Sequence, residues 1–193
     1  MNVLAIGAHF DDIELGCGGA LAKHVANGDN VYAYVATKSG FTNYKNIEIR
    51  SDDVAIQEGE AAMKVLGVKL IKGSFKTLEV EFSDELNLEI LEIVESSKID
   101  TVYSHWVGDI HHDHQSVARA SLHAWRHVPR QLMYRSNWYH SNIDFKANFY
   151  VDISNFWELK KKSIEAHVSE IDRTGRKWID FFYNEAKNSG QRI

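Results

Sequence analysis

The sequence predicts an α/β chain of three layers, αβα and Rossmann-like, with a mostly parallel sheet. Three observations carry that prediction. Short apolar runs alternate with helical patterns over the first two thirds, and the chain opens as strand, helix, strand. Its 193 residues, with 44% hydrophobic and 25% charged side chains, suit one globular domain spanning 1–193. Such alternation favours parallel strands covered on both faces, because each crossover helix packs back on the sheet.

VLAIG (3–7) is the first strand, LGCGGALAKHVANG (15–28) a helix, and VYAYVAT (31–37) the second strand. Gly28 stands just past a helix end, where the missing Cβ favours a left-handed cap. A polar loop, KSGFTNYKN (38–46), precedes a helical stretch ending at Leu66 and Gly67, and the short run VKLI (68–71) follows. In SDELNLEILEIVESSK (83–98), Leu86, Ile90, Ile93 and Val94 keep helical spacing. DTVYSHW (100–106) is the fourth strand, and QSVARASLHAWRHV (115–128) the helix behind it. Past Pro129, QLMYR (131–135) and NFYVDI (148–153) read as shorter strands of a C-terminal part that completes the substrate side. WELKKKSIEAHVSEI (157–171) reads as one amphipathic helix with Lys160 to Lys162 on its solvated face, and the polar tail KNSGQRI should fray.

A net charge of −5 gives no electrostatic reason to seek nucleic acid or an anionic membrane. No apolar run approaches the ~20 residues of a membrane span, and the opening residues lack a leader pattern, so cytoplasm is the expected compartment. Homo-oligomer formation is left open. The lone cysteine, Cys17, rules out an internal disulfide and a cysteine-built zinc site, and reads as a small buried thiol. Any metal must be held by His, Asp or Glu.

Ligands of open α/β sheets bind beyond the carboxyl ends of the strands. Two clusters fall there: His9, Asp11 and Asp12 after the first strand, and HWVGDIHHDH (105–114) after the fourth, with four of the ten histidines. An aspartate near a helix start is often only a cap. Two adjacent carboxylates, however, repel each other unless a cation lies beside them. A catalytic zinc needs about three N or O ligands and an open position for water. His9 and Asp12 can coordinate together, either His111 or His114 can complete the set, and Asp11 is then placed to accept a proton from water. His105 and His112 suit ligation less well. Gly16, Gly18 and Gly19 raise the rival of a phosphate-cradling turn, but their G-x-G-G spacing is not the dinucleotide fingerprint, so close helix packing explains them better.

AHFDDIELGCGGALAKH resembles the first motif, A-H-P-D-D, of the PIG-L (LmbE-like) zinc-dependent N-deacetylases, and DIHHDH resembles their second, H-x-D-H. AAMKVLGV (61–68) and FYVDIS with KSIEAHVSE (149–170) extend the likeness loosely over most of the chain. The resemblance implies Zn2+, with Fe2+ or another divalent ion as substitute, held by His9, Asp12 and His114. It implies Asp11 as general base, a protonated His111 facing the reacting carbonyl, and Asp113 orienting that histidine. The implied substrate is a small N-acetylated amino sugar of the N-acetylglucosamine type, or its conjugate. Phe10 replaces the usual proline and offers an aromatic ring near the metal. Arg50 is the candidate for the family's substrate-contacting arginine, although it precedes Glu58 by eight residues. Trp106 and YRSNWYHSN (134–142) are candidate sugar platforms, and Tyr44 a lid or rim residue. A non-catalytic metal- or nucleotide-binding module is the alternative; it would have no use for Asp11 and His111. A two-metal phosphoesterase would need more bridging carboxylates.

Overall fold

The computed structural model describes Met1–Arg192. Five strands, β1 (Asn2–Gly7), β2 (Asn30–Thr37), β5 (Lys69–Phe75), β6 (Thr101–His105) and β7 (Arg130–Tyr134), form one sheet in the order β5-β2-β1-β6-β7. All four pairings are parallel. β3 (Phe41–Thr42) and β4 (Glu48–Arg50) form a separate antiparallel hairpin in the polar 38–50 loop. The predicted α/β architecture with a mostly parallel sheet is therefore what the chain forms.

Alternation along β1 shows why the sheet is covered twice. Val3 and Ala5 join a core with Leu21 of α2 (Gly18–Ala26) and with Met63 and Leu66 of α3 (Asp52–Leu66). Leu4 and Ile6 join a second core with Leu86 and Ile90 of α4 (Asp84–Ser96) and with Val117 and Ala120 of α5 (His112–Ala124). Every one of the four β1 side chains is 0% exposed, which places β1 at the centre of the molecule. Ser51 and Ser83 cap α3 and α4 by accepting from the N–H groups of Val54 and Leu86. Gly67 closes α3 in the left-handed conformation at φ 72°.

Four local readings need correction. The helix predicted over 15–28 is two, α1 (Asp12–Gly16) and α2, broken at Cys17, whose φ of −132° is not helical. NFYVDI is no strand: Val151 packs on the core and Ile153 covers Gly19 instead of extending the ladder. The predicted helix at 157–171 is also two, α6 (Trp157–Glu165) and α7 (Val168–Thr174), followed by α8 (Lys177–Gly190), which takes up much of the tail expected to fray. Lys160 is buried, not solvated: its Nζ donates to the Leu15 carbonyl at 2.8 Å, supplying a partner at the end of α1 that no helix bond provides. Burial pushes its amine down to about 8.

Candidate active site

From β1 the chain passes to β2 and β5 on one side of the sheet and later to β6 and β7 on the other. The loops leaving β1 and β6 therefore lie side by side where the winding reverses, the place an open α/β sheet offers a ligand. The β1 loop is tied down at once. Ala8 N–H donates to His105 Nε2 at 3.0 Å, and the Ala8 carbonyl accepts from Thr37 N and Thr37 Oγ1.

His9, Asp12 and His114 then converge. His9 Nδ1 lies 3.2 Å from His114 Nε2 and 3.3 Å from Asp12 Oδ2, and His114 Nε2 lies 3.1 Å from Asp12 Oδ1. Two ring nitrogens that close cannot both carry a hydrogen toward each other. With one atom from each residue, two overlapping groups come within mutual reach among the described residues, His9 with His111 and His114, and Asp12 with His105 and His114. The residues present thus fit a divalent ion.

Each histidine of this triangle is backed by a carboxylate on its other nitrogen. Asp113 Oδ2 sits 2.8 Å from His9 Nε2, and Asp109 Oδ2 sits 3.1 Å from His114 Nδ1. Asp113 is fixed in turn by the N–H groups of Leu78 and Val80 at 2.7 and 3.2 Å. Two residues at the carboxyl end of β7 complete this outer layer. Ser136 Oγ donates to Asp12 Oδ1 at 2.9 Å, and Asn137 Nδ2 donates to both oxygens of Asp109 at 2.7 Å. Such outer partners fix ring orientation and raise ligand basicity.

The electrostatics reflect the crowding of carboxylates. Burial opposes charge on His9 and His114, yet Asp113 and Asp12 raise the first to about 9, and Asp12 with Asp109 raise the second to about 10. Burial would raise Asp12, but His114 and His105 hold it well below the usual carboxylate range. Protonation here relieves the carboxylate crowding that a divalent cation would relieve.

Two contacts of the second motif bear on the roles implied for it. The Asp113 carboxylate holds His9 rather than His111; what Asp113 gives His111 is its backbone N–H, donated to Nδ1 at 3.2 Å. That bond leaves the hydrogen of the neutral ring on Nε2. Burial and the neighbouring His114 and His9 push His111 down to about 4. His105, read as a strand end, stacks on His114 with ring centroids 4.0 Å apart and spends its Nε2 lone pair on Ala8.

Asp11 takes no part in the triangle. Its φ is 131°, a conformation L-residues rarely adopt, and although it stands before α1 its side chain makes no capping bond. Burial, and then the charge of Asp12, raise it to about 7, against the pull of His167 and Arg50. Arg50, expected to touch substrate, is buried instead. Its Nη1 reaches the Phe10 carbonyl at 3.3 Å and Asp11 Oδ2 at 3.9 Å, while Nη2 binds Glu58 Oε2 at 2.8 Å and His167 Nδ1 at 3.2 Å. His167 passes the chain on to Glu14 Oε1 at 2.8 Å. Phe10, expected to present its ring to the metal, is 1% exposed and faces the core. Tyr44 stands in solvent in the β3–β4 hairpin beside Lys45. Trp106 does border the β6 loop, its ring over Gly108 and edge-on to Phe145.

The sequence reading missed Asp109, Ser136, Asn137 and His167. The first three lie beyond strand ends, the signal that marked the two motifs. No local signal marks His167, which enters from the α6–α7 joint.

Comparison with known proteins bears on this arrangement. A family model described as PIG-L, GlcNAc-PI de-N-acetylase, matches residues 4–125. The uncharacterized deacetylase YaiS of Escherichia coli (strain K12) is 31% identical over 184 residues, covering 87% of this chain and 91% of that protein. The diacetylchitobiose deacetylase of Thermococcus kodakarensis is 24% identical over 191 residues, covering 88% of this chain and 70% of that protein. In fold, the structure of N,N'-diacetylchitobiose deacetylase from Pyrococcus horikoshii, complexed with its inhibitor MPG, superposes with a TM-score of 0.82 at 24% identity. That match covers 100% of this chain and 79% of the other.

Proposed function

This chain belongs to the PIG-L family, and from that premise we propose that it is a metal-dependent N-deacetylase. Its reaction is hydrolysis of the amide of an N-acetylated amino sugar, of the N-acetylglucosamine type or a conjugate, to the free amine and acetate. The whole chain acts as one unit, with residues from about 130 onward on the substrate side. The observation that carries the reading is the contrast between adjacent aspartates. Asp12 turns into the triangle with His9 and His114, while Asp11 is held at φ 131° with its carboxylate left out of any cap. A module that only bound metal would gain nothing from that strain, on the order of 1–3 kcal/mol.

His9, Asp12 and His114 would hold the ion, and zinc or Fe2+ bound there supplies Lewis acidity, bringing the pKa of water from about 15.7 toward ~7 and polarising a carbonyl. Asp11 takes the proton of the attacking water on its carboxylate, a role worth roughly 10²–10⁴ in rate. His111 donates its Nε2–H to the oxygen that becomes negative as the tetrahedral centre forms, and loss of such a donor costs about 10²–10³. Asp11, now protonated, returns the proton to the departing nitrogen, so the amine leaves neutral. Asp113 and Asp109 keep the His9 and His114 rings facing the centre.

The test is release of acetate and free amine from nucleotide-linked, lipid-linked and free N-acetylhexosamines, with Asp11→Asn as control. The reading requires turnover by the parent protein and its near-complete loss in the variant at unchanged metal content. Undiminished turnover in Asp11→Asn, or none from any of these substrates, would overturn it.

A further inference from the structure

Phe10 lies between a metal-holding histidine and the base, and its ring has gone into the core. Three contacts fix it there. Its N–H donates to Ser39 Oγ at 2.8 Å and its carbonyl accepts from Arg50 Nη1 at 3.3 Å. Its ring lies so close to α3 that a Cβ on Gly59 would meet Cδ1 at 2.1 Å and Cγ at 2.7 Å. The anchors are themselves tied. Ser39 Oγ lies 3.2 Å from Thr37 Oγ1, and Arg50 is gripped by Glu58, which accepts from Ser169 N at 2.6 Å and from Ser169 Oγ at 2.7 Å.

The Phe10 carbonyl belongs to the peptide unit that begins Asp11. Past Asp11 the chain enters α1, where Leu15 N–H donates to the Asp11 carbonyl at 3.0 Å. The rotation of 131° at Asp11 is thus trapped between a peptide plane locked by Phe10 and a helix start. Strain of this kind persists only where the surroundings over-determine it. We propose that Phe10, with Gly59 as the socket for its ring, is a positioning residue that holds the Asp11 backbone in this conformation and so aims its carboxylate. The inference rests on the deacetylase reading for its consequence in rate, but the geometry it asserts stands apart from turnover.

The experiment is a double-mutant cycle on the metal-loaded full chain: Gly59→Ala, Phe10→Ala and the pair together, with kcat, KM, metal content and crystal structures. Gly59→Ala should displace the ring, move Asp11 from its positive φ and lower kcat about a hundredfold, the scale of an ~1 Å misplacement. KM should stay within about twofold and metal content unchanged. In the Phe10→Ala background, where the ring is gone, adding the Gly59 methyl should cost no further activity. If Gly59→Ala fails to fold, Ser39→Ala, which removes the anchor on the N–H, takes its place and should move Asp11 in the same way. Three results overturn the proposal: full kcat in the single variant with a lowered melting temperature, equal losses in both backgrounds, or an unchanged Asp11 φ. Lack of turnover by the parent protein would instead count against the deacetylase reading, and the backbone measurement would still decide this one.

Discussion

Asn137 grips both carboxylate oxygens of Asp109 at 2.7 Å, and Asp109 in turn faces His114 Nδ1 at 3.1 Å. The loop after β7 therefore braces a ring whose other nitrogen points toward His9 and Asp12 in the candidate metal site. Removing either outer group should loosen the ion without unfolding the protein. Asn137→Ala and Asp109→Ala are each expected to weaken zinc binding about 10–100-fold in a chelator competition. His114→Ala should abolish it. Parent-like affinity in both outer variants would deny them this role.

Proton release gives a second measure of the centre. Asp113 and Asp12 raise His9, and Asp12 with Asp109 raise His114, so the pair carries an extra proton at pH 7.5, while the 3.2 Å approach of their facing nitrogens admits a single hydrogen between them. A divalent ion must displace that hydrogen, so binding should release about one proton and apparent affinity should climb with pH up to about 9. Titration calorimetry in two buffers of different ionisation enthalpy measures that release. A count near zero would contradict the arrangement.

Asp11 should betray itself in stability as well as rate. Its carboxyl is raised to about 7 in the folded chain. A raised acid favours folding below its ordinary pKa near 3.9, and the fold loses that support as pH rises through the folded value. Asp11→Asn should therefore stabilise the ion-free protein, by on the order of 1–2 kcal/mol at pH 8 and progressively less as pH falls below 7. In the loaded enzyme, kcat/KM should rise with pH and level off as Asp11 ionises, at or below pH 7 because a nearby cation favours the carboxylate. Thermal melts at pH 5 and pH 8, with a pH–rate profile, check both signs.

The glycines of the first motif divide sharply. A Cβ on Gly16 would meet the Tyr134 ring at 2.1 Å, and Tyr134 is held by its hydroxyl on the Ile6 carbonyl at 2.7 Å, so the ring has nowhere to go. At Gly18 the nearest atom is 3.6 Å away. Gly16→Ala should cost about 1–3 kcal/mol in denaturant unfolding, while Gly18→Ala should be neutral or slightly stabilising. Equal effects would show that helix propensity and not close approach governs the motif.

The same contrast explains what was legible in the sequence. Val3 to Gly7, the α4 periodicity and the two clusters after β1 and β6 are local patterns tied to backbone geometry, so the sheet and the candidate ligands could be read from them. The direction of the Phe10 ring could not. In a turn neither helical nor strand periodicity fixes which way a side chain points, and Gly59, the residue that receives it, lies in another element. Ser136 and Asn137 sit in a stretch whose aromatic residues suggested a sugar platform, but two small polar side chains there reach the outer carboxylates. NFYVDI has the alternation of a strand, yet its apolar residues cover α2, and pairing partners are a property of the fold and not of the segment.

His9 and His114 are 105 residues apart, joined only because β1 and β6 pair in the middle of the sheet. An ion shared between them is in effect a reversible cross-link across more than half the chain. It cannot form on either half alone, so its full binding energy falls on the complete fold, worth about 4 kcal/mol at a free concentration a thousand times the dissociation constant. Loss of the ion would then shorten the lifetime of the protein in the presence of a protease, and not merely silence its chemistry.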